Sequence, residues 1–451
     1  MGYAEFLKEK EYQHVDVGFA SQNLPRELFD FQKDIVSWAC RRGRAAIFAD
    51  TGLGKTAMQL SWAQQVTNHT GRKVLVLAPL CVAQQTVKEG AKFGIDAAYI
   101  RDSSLVGNIQ VTNYEMLKNF NPENYAGIVL DESSILKGLN GSVRKQITEF
   151  AKKIPYRLSC TATPSPNDFM ELGTQSEFLG VMSQVEMLAT FFIHDGSDTA
   201  KWRLKGHGRK KFWEWLSTWS VVVRNPSDLG YEHDGYDLPP LNLYEHVVET
   251  EPTDSLFVDV AMGLQERNKA RRDSVSARCR IAAEIIDQWD IGIAWCNLND
   301  ESELVSELAG ICEITGSMDV AKKESAIDGF SSGDIEKIAT KPKIAGFGLN
   351  WQHCNKMVFV GLSDSFESFY QAIRRCWRFG QTEPVDVHIV ISDREGAVLE
   401  NIKRKQAQHD QISKEMADIM RDYTIAEIKG ATVEKADYAP EVNFKLPEFM
   451  K

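Results

Sequence analysis

The run Asp50-Thr51-Gly52-Leu53-Gly54-Lys55-Thr56 sets two glycines, a lysine and a hydroxyl in an order suited to phosphate chemistry. Glycines let a backbone turn its N–H groups onto phosphate oxygens, and a helix opening at this point adds the positive end of its dipole. Lys55 then reaches the β- and γ-phosphates of a nucleoside triphosphate, and the Thr56 hydroxyl holds Mg²⁺. Thr51, Gly52, Leu53, Gly54, Lys55 and Thr56 are the expected nucleotide-binding loop, although the glycine that usually stands four positions earlier is missing. Such a loop needs a carboxylate at the end of a nearby strand. The apolar run Ile128-Val129-Leu130 ends abruptly in Asp131-Glu132. Asp131 is placed to share the metal with Thr56, and Glu132 to orient and deprotonate an attacking water. Alone, the two acids read as a solvated turn; beside the phosphate loop they read as the other half of a triphosphate-hydrolysing site.

Two further groups of charged residues stand out. Arg375 and Arg378 are three apart, so a helix would project both from one face. By spacing alone such a pair is usually a solvated face. The segment 201–211, KWRLKGHGRKK, holds Lys201, Arg203, Lys205, Arg209, Lys210 and Lys211 with no acid, and Trp202, Trp213, Trp215 and Trp219 stand in or beside it. Cations next to aromatics suit phosphate contact and base stacking. Tryptophan is also mostly a buried residue, so the basic side chains are assigned to nucleic acid and most of the tryptophans to packing. A second basic stretch, 268–280, is read as a duplex contact or a hinge.

These residues need a scaffold. AAIFAD (45–50), KVLVLAP (73–79), AAYI (97–100), NIQVTN (108–113), GIVLDE (127–132) and YRLSCTATP (156–164) are short, β-branched and apolar, and end in polar, Gly or Pro residues. Helix-length segments such as 56–69 and 142–154 separate them. Alternation of this kind gives a parallel sheet covered on both faces, with its functional residues at the carboxyl ends of the strands. The same rhythm returns with a helix at 281–289 and strands at 291–297, 312–316, 336–342, 356–362 and 385–392. The expected α/β layout is a first sheet domain over 1–178, a helical Trp- and Lys/Arg-rich insert over 179–275, a second sheet domain over 276–395 and a helical tail over 396–451. The helix of the tail is expected to cover the second domain, and the tail is a candidate contact for protein partners.

Composition narrows the function. The chain has 451 residues, with 52 Lys plus Arg against 63 Asp plus Glu, a net charge of −11. Any nucleic-acid site is therefore a local stripe on an acidic body. No apolar run approaches a membrane span of about 18 residues, and the start of the chain has no signal-peptide core. The eight cysteines show no disulfide or zinc spacing. A cytoplasmic or nucleoid-associated protein of a bacterial or phage-infected cell, not secreted and not in a membrane, is expected.

In order along 28–392 the motifs resemble those of superfamily-two helicases, and within them the Swi/Snf-related DNA translocases of compact phage or bacterial type. Leu28-Phe29-Asp30-Phe31-Gln32 resembles the adenine-reading motif, with Gln32 as reader, and the loop at 49–56 resembles motif I. Ala78-Pro79-Leu80 and Val111-Thr112-Asn113-Tyr114-Glu115 resemble nucleic-acid-face motifs. Asp131-Glu132-Ser133-Ser134 stands where Asp-Glu-Ala-His is usual, and Thr161-Ala162-Thr163-Pro164 resembles motif III. Gly346-Phe347-Gly348-Leu349-Asn350 resembles motif V, and residues 371–381 resemble motif VI, with Arg374 in place of the usual acid and Trp377 in place of the usual His.

The resemblance implies two RecA-like domains with an ATP cleft between them, ATP and Mg²⁺ as cofactors, and double-stranded DNA as partner. It implies Lys55, Asp131, Glu132, Arg375 and Arg378 as catalytic residues, the arginines acting as fingers. Gln32 and Gly348 join the nucleotide site, and Thr112 and Asn350 the DNA track. The expected activity is a DNA-dependent ATPase that moves along duplex DNA or remodels DNA–protein complexes. An unwinding DNA or RNA helicase, or the motor subunit of a DNA-processing or restriction complex, is the alternative. A regulatory switch that binds nucleotide without hydrolysis would not need the whole hydrolytic set.

Overall fold

Short apolar runs become fully buried strands because helices cover both faces of the sheet they form. The structure is a computed structural model that describes residues 17–102, 107–137, 141–165, 168–195, 198–232, 235–249, 272–345 and 349–428. The first sheet is built from β1 (Arg44–Ala49), β2 (Lys73–Ala78), β3 (Ala97–Tyr99), β4 (Ile109–Asn113), β5 (Tyr125–Asp131) and β6 (Tyr156–Thr161). Its helices are α1 (Asp30–Arg42), α2 (Lys55–Thr70), α3 (Leu80–Lys92), α4 (Ser142–Ala151) and α5 (Leu172–Leu179). Next come α6 (Gln184–Phe191), an antiparallel hairpin of β7 (Phe192–Asp195) and β8 (Asp198–Leu204), α7 (Arg209–Ser217), β9 (Ser220–Val223) and β10 (Leu241–Val248).

The second sheet domain contains α8 (Val275–Asp287), β11 (Gly292–Cys296), α9 (Asn299–Ala309), β12 (Cys312–Ile314) and α10 (Val320–Ser332). It continues with β13 (Lys337–Thr340), α11 (Pro342–Ala345), β14 (Lys356–Val360), α12 (Phe366–Ile373) and β15 (Val385–Ser392), and the long α13 (Gly396–Ile428) closes the series. Among the described residues the first sheet has the strand order β3-β4-β2-β5-β6-β1-β9 and the second β10-β15-β14-β11-β13-β12. Every pairing within these two sheets is parallel. The chain thus folds as two RecA-like α/β domains.

The segment expected as a helical insert has a mixed structure. The basic run begins on a strand, β8, and β9 and β10 each join a sheet, β9 beside β1 and β10 beside β15. Phe212, Trp213, Leu216 and Trp219 are buried in one face of the first domain's core, with Trp202 and Trp215 packed against it. The tail also departs from expectation. Val398, Leu399 and Ile402 at the start of α13 lie in the second domain's core, but Met416, Ala417 and Met420 lie in the first domain's. At its far end Arg42 pairs with Glu427, and Arg41 Nη2 donates to the Ile428 carbonyl at 2.7 Å. The helix crosses both domains instead of covering one. Residues 429–451 and the first four residues of the second basic stretch, 268–271, lie outside the described residues.

Candidate active site and inter-domain cavity

The phosphate loop joins β1 to α2, with Gly52 at φ 92° and Gly54 at φ 77°. Both glycines are required by left-handed backbone, and Gly52 by space as well. A Cβ on Gly54 would lie 2.3 Å from Gln32 Nε2, and one on Gly52 would lie 2.9 Å from the Phe379 backbone N of the second domain. Lys55 opens α2 at the end where the helix dipole is positive, and its Nζ donates to the carbonyls of Ala49 (2.9 Å) and Asp50 (3.2 Å). Burial lowers the Lys55 pKa, against Glu132, Asp50 and Asp131, which act to raise it. Thr56 is the second residue of the same helix.

Asp131 ends β5, and its Oδ1 accepts from Gln59 Nε2 of α2 at 2.8 Å. Burial and the neighbouring Glu132 raise the Asp131 carboxyl to about 6, while the Gln59 amide and Lys55 oppose the rise. Glu132 has φ 56°, a left-handed backbone at a residue that is not glycine. Two contacts hold that turn. Tyr114 Oη donates to the Asp131 carbonyl at 2.5 Å, and Thr161 Oγ1 lies 3.4 Å from Glu132 Oε2. Thr161 also accepts from the Thr163 N–H at 3.1 Å, so the 161–164 turn is tied directly to Glu132. The site thus has a cation, a hydroxyl and two carboxylates around a glycine cradle, a donor set that fits a triphosphate and a hard divalent ion.

The second domain supplies the opposite wall, but not as the sequence suggested. Arg375 does not enter the cleft. It is buried and donates to the Gln371 carbonyl (2.9 Å), Gln371 Oε1 (2.8 Å) and the Leu349 carbonyl (3.1 Å), all in its own domain. Arg378 does face the cleft. Its Nη1 donates to the Leu349 carbonyl at 3.1 Å, and its buried Nε finds no hydrogen-bond partner among the described residues. Burial and Arg375 depress the Arg378 pKa to about 10, while Glu89 of α3 acts to raise it. Gln32 meets the loop through both ends of its amide. Oε1 accepts from the Phe29 N–H (3.0 Å) and Nε2 donates to the Leu53 carbonyl (3.0 Å). Gly348 lies outside the described residues.

Several residues at the site were given no role there by sequence reasoning. Phe379 and Tyr236 have ring centroids 4.4 Å apart, and Phe29 lies 6.4 Å from Phe379, forming an aromatic wall beside Gly52. Tyr370 and Arg374 of the second domain grip Asp50 of the first. Phe29 and Phe379 stand close in sequence to Gln32 and Arg378, which was the available signal, but Tyr236 offered none.

A cavity of about 930 Å³ runs between the domains next to Glu132. Asn113 and Asn350 line it, one from each domain, together with the cations Lys88, Arg101, Lys137, Lys323 and Lys343. Asn113 Oδ1 is buried without a hydrogen-bond partner among the described residues. Lys137 pairs with Glu367, Lys88 with Asp328 at 3.0 Å, and Gln84 donates to Glu324 at 2.7 Å, each across the domain boundary. Thr112 is buried within β4 and does not line the cavity; its neighbour Asn113 does.

The basic run of 201–211 does not line it either. Lys205 Nζ caps the C-terminal carbonyls of α6, donating to Ala189 (2.8 Å) and Thr190 (2.9 Å). Arg209 pairs with Glu415 of α13 and Lys210 with Glu214 at 3.8 Å. Arg203 and Lys211 are exposed, and nothing is described of the Lys201 side chain. From the second basic stretch, Arg278 is fully buried and pairs with Glu301 (2.8 Å) and Glu395 (3.6 Å), a structural ion cluster.

Residues 284–380 match the helicase conserved C-terminal domain family. Among solved structures, the SWI2/SNF2 ATPase core of Sulfolobus solfataricus, in complex with dsDNA, is similar at 18% identity and a TM-score of 0.41, over 91% of this chain and 98% of that one. No curated protein matches the chain. The described residues contain no helix long and apolar enough to cross a membrane. The helicase match takes in Arg375 and Arg378 and lies behind a P-loop sheet that ends in Asp131-Glu132. Residues 284–380 of the chain are thus similar to the helicase conserved C-terminal domain.

Proposed function

We propose that the chain is an ATP-driven motor of the Swi/Snf-related kind that moves along duplex DNA. The observation that carries this reading is convergence: Lys55, Asp131 and Glu132 from one domain face Arg378 from the other, beside a cavity lined by both. Neither domain alone holds the whole hydrolytic set, so nucleotide occupancy and domain docking are coupled. Duplex DNA is favoured by the resemblance of residues 346–350 and 371–381 to translocase motifs.

In this reading the loop N–H groups and Lys55 bind the phosphates, and Glu132 orients the attacking water and takes its proton. Arg378 stabilises the charge on the transferring phosphoryl group. Thr56 and Asp131 hold Mg²⁺, which supplies charge neutralisation at the phosphates. For Gln32 to read adenine, its amide exchanges the Leu53 carbonyl for the base edge. Asn113, Asn350 and the cavity lysines contact the nucleic acid. Thr161, bonded to Glu132 and next to the cavity wall, relays the state of one site to the other.

The test is steady-state ATP hydrolysis at fixed salt with no nucleic acid, single-stranded DNA, duplex DNA and duplex RNA. Strong stimulation by duplex DNA alone is the expected result. Preference for single strands or RNA replaces the translocase with an unwinding helicase, and the absence of stimulation by any of them removes the motor reading.

A further inference from the structure

Motif VI of this chain departs from its family pattern at two positions, Arg374 and Trp377, and the structure brings both to one place. Arg374 ends α12 with its side chain only 4% exposed. Its guanidinium lies against the Tyr370 ring (5.6 Å) and the Trp377 ring (5.1 Å). Trp377 is itself pinned, its Nε1 donating to the Pro239 carbonyl of the inter-domain linker at 2.7 Å. Held in this aromatic seat, Arg374 reaches across the domain boundary. Nη2 meets Asp50 Oδ2 at 2.6 Å and the Thr51 carbonyl at 3.4 Å, and Nε bonds to Thr51 Oγ1.

Asp50 poses an electrostatic problem that this contact solves. It stands two residues before Gly52 in a loop that must accept a polyanion. Its Oδ1 accepts from the Thr51 N–H (2.6 Å) and from Tyr370 Oη (2.9 Å), which leaves Oδ2 for Arg374. Burial works to raise the Asp50 carboxyl, but Arg374, the Thr51 N–H and Lys55 outweigh it and hold the group below the ordinary carboxylate range. The acid is therefore charged, and its largest compensating charge comes from the other domain. Asp410 of α13 also faces Arg374, so the cation is shared with a second acid.

We propose that Arg374 is a positioning residue for the nucleotide: by neutralising Asp50 and gripping Thr51, it makes the phosphate loop receptive to a triphosphate when the second domain is docked. This deepens the proposed function and rests on its assignment of residues 50–56 as the phosphate loop. The contact differs from that of an arginine finger, because Arg374 touches the loop and not the phosphoryl group.

The test measures KM and kcat for ATP in the full-length protein, with binding of a fluorescent ATP analogue alongside. Arg374→Gln leaves Asp50 uncompensated, and KM rises about tenfold or more, the scale of one partly screened charge contact, while kcat at saturation changes far less. Asp50→Asn alone, which removes the negative charge and keeps Arg374, lowers KM. Asp50→Asn with Arg374→Gln returns KM toward the wild-type value. A KM within twofold of wild type in Arg374→Gln overturns the proposal. So does a double variant no better than Arg374→Gln, or an Asp50→Asn variant impaired to the same degree, since either outcome makes the pair merely structural. Where Arg374→Gln fails to fold, Arg374→Lys, which keeps the charge and loses the fork, carries the KM measurement, with a small rise expected and none overturning the claim. Lys55→Ala separates the two readings. Hydrolysis surviving that change removes the phosphate loop and the proposal together, whereas its loss alongside a normal Arg374→Gln removes the proposal alone.

Discussion

Glu132 carries the most unusual backbone in the site, a left-handed turn at a residue with a Cβ, which costs on the order of 1–3 kcal/mol when the surroundings must enforce it. The bonds from Tyr114 and Thr161 enforce it, so the general base proposed above is aimed by residues from two other strand ends. The two motif VI arginines separate cleanly at this scale. Arg378→Ala is expected to keep the fold and bind nucleotide but to lose hydrolysis by about 10³-fold or more, the scale of an arginine finger, as read by single-turnover kinetics. Arg375→Ala is expected to act on the second domain's stability, by about 3 kcal/mol for the carbonyl and amide groups left unpaired, as read by denaturant unfolding. A normal unfolding midpoint in Arg375→Ala together with abolished hydrolysis would return that residue to the cleft. The sequence marked both arginines by landmarks around them, but a three-residue spacing does not say which guanidinium turns inward.

Among the elements, the sheet strands read most directly from sequence, because burial on both faces demands continuous apolar runs at 44–49, 73–78 and 125–131. Three others were hidden for physical reasons. β8 is rich in polar and charged residues because it lies in a two-stranded hairpin, β9 has four residues beside a Trp-rich helix, and β10 is an edge strand with Leu243, Tyr244 and Val247 exposed. β10 is fastened to β15 partly by a histidine pair, His246 Nε2 to His388 Nδ1 at 2.9 Å, with the Tyr244 and Trp289 rings against His388.

Burial and His246 hold His388 below the ordinary histidine pKa, as Lys356 also does, against Asp386. The folded form therefore binds protons less readily than the unfolded chain. Its contribution is whole above the unfolded value of about 6.5 and is lost as pH falls from there through the folded value. Amide exchange in 241–248, corrected for intrinsic rates, is expected to quicken relative to β14 on acidification below that point. His388→Asn is expected to flatten the response, and an unchanged pH profile in that variant would clear the pair of the role.

At the scale of the molecule, the arrangement of two sheets around one cleft was legible in the order of the motifs, but the cation-lined cavity between the domains was not. A dense basic run in sequence proved to be engaged in a helix cap at Lys205 and ion pairs at Arg209 and Lys210. The cations that line the cavity are single lysines and one arginine scattered from 88 to 343, gathered only by folding. Duplex binding should follow the second set. Replacing Lys88, Lys323 and Lys343 with Gln is expected to weaken binding and to reduce the slope of log K against log salt by about 0.9 for each phosphate no longer neutralised. Replacing Arg203 and Lys210 is expected to leave the slope unchanged. A slope that shifts with the second pair and not with the first three would move the track to the hairpin.

The crossing helix α13 has a consequence for how the protein is made. Its 33 residues span about 50 Å at 1.5 Å per residue. They complete apolar packing in the first domain with Met416, Met420 and Ile428, side chains that leave the ribosome after the whole second sheet domain. The nascent P-loop domain therefore waits through the synthesis of the whole second domain with a greasy furrow uncovered. Chaperone demand, and sensitivity to premature stops near residue 400, should concentrate in that interval.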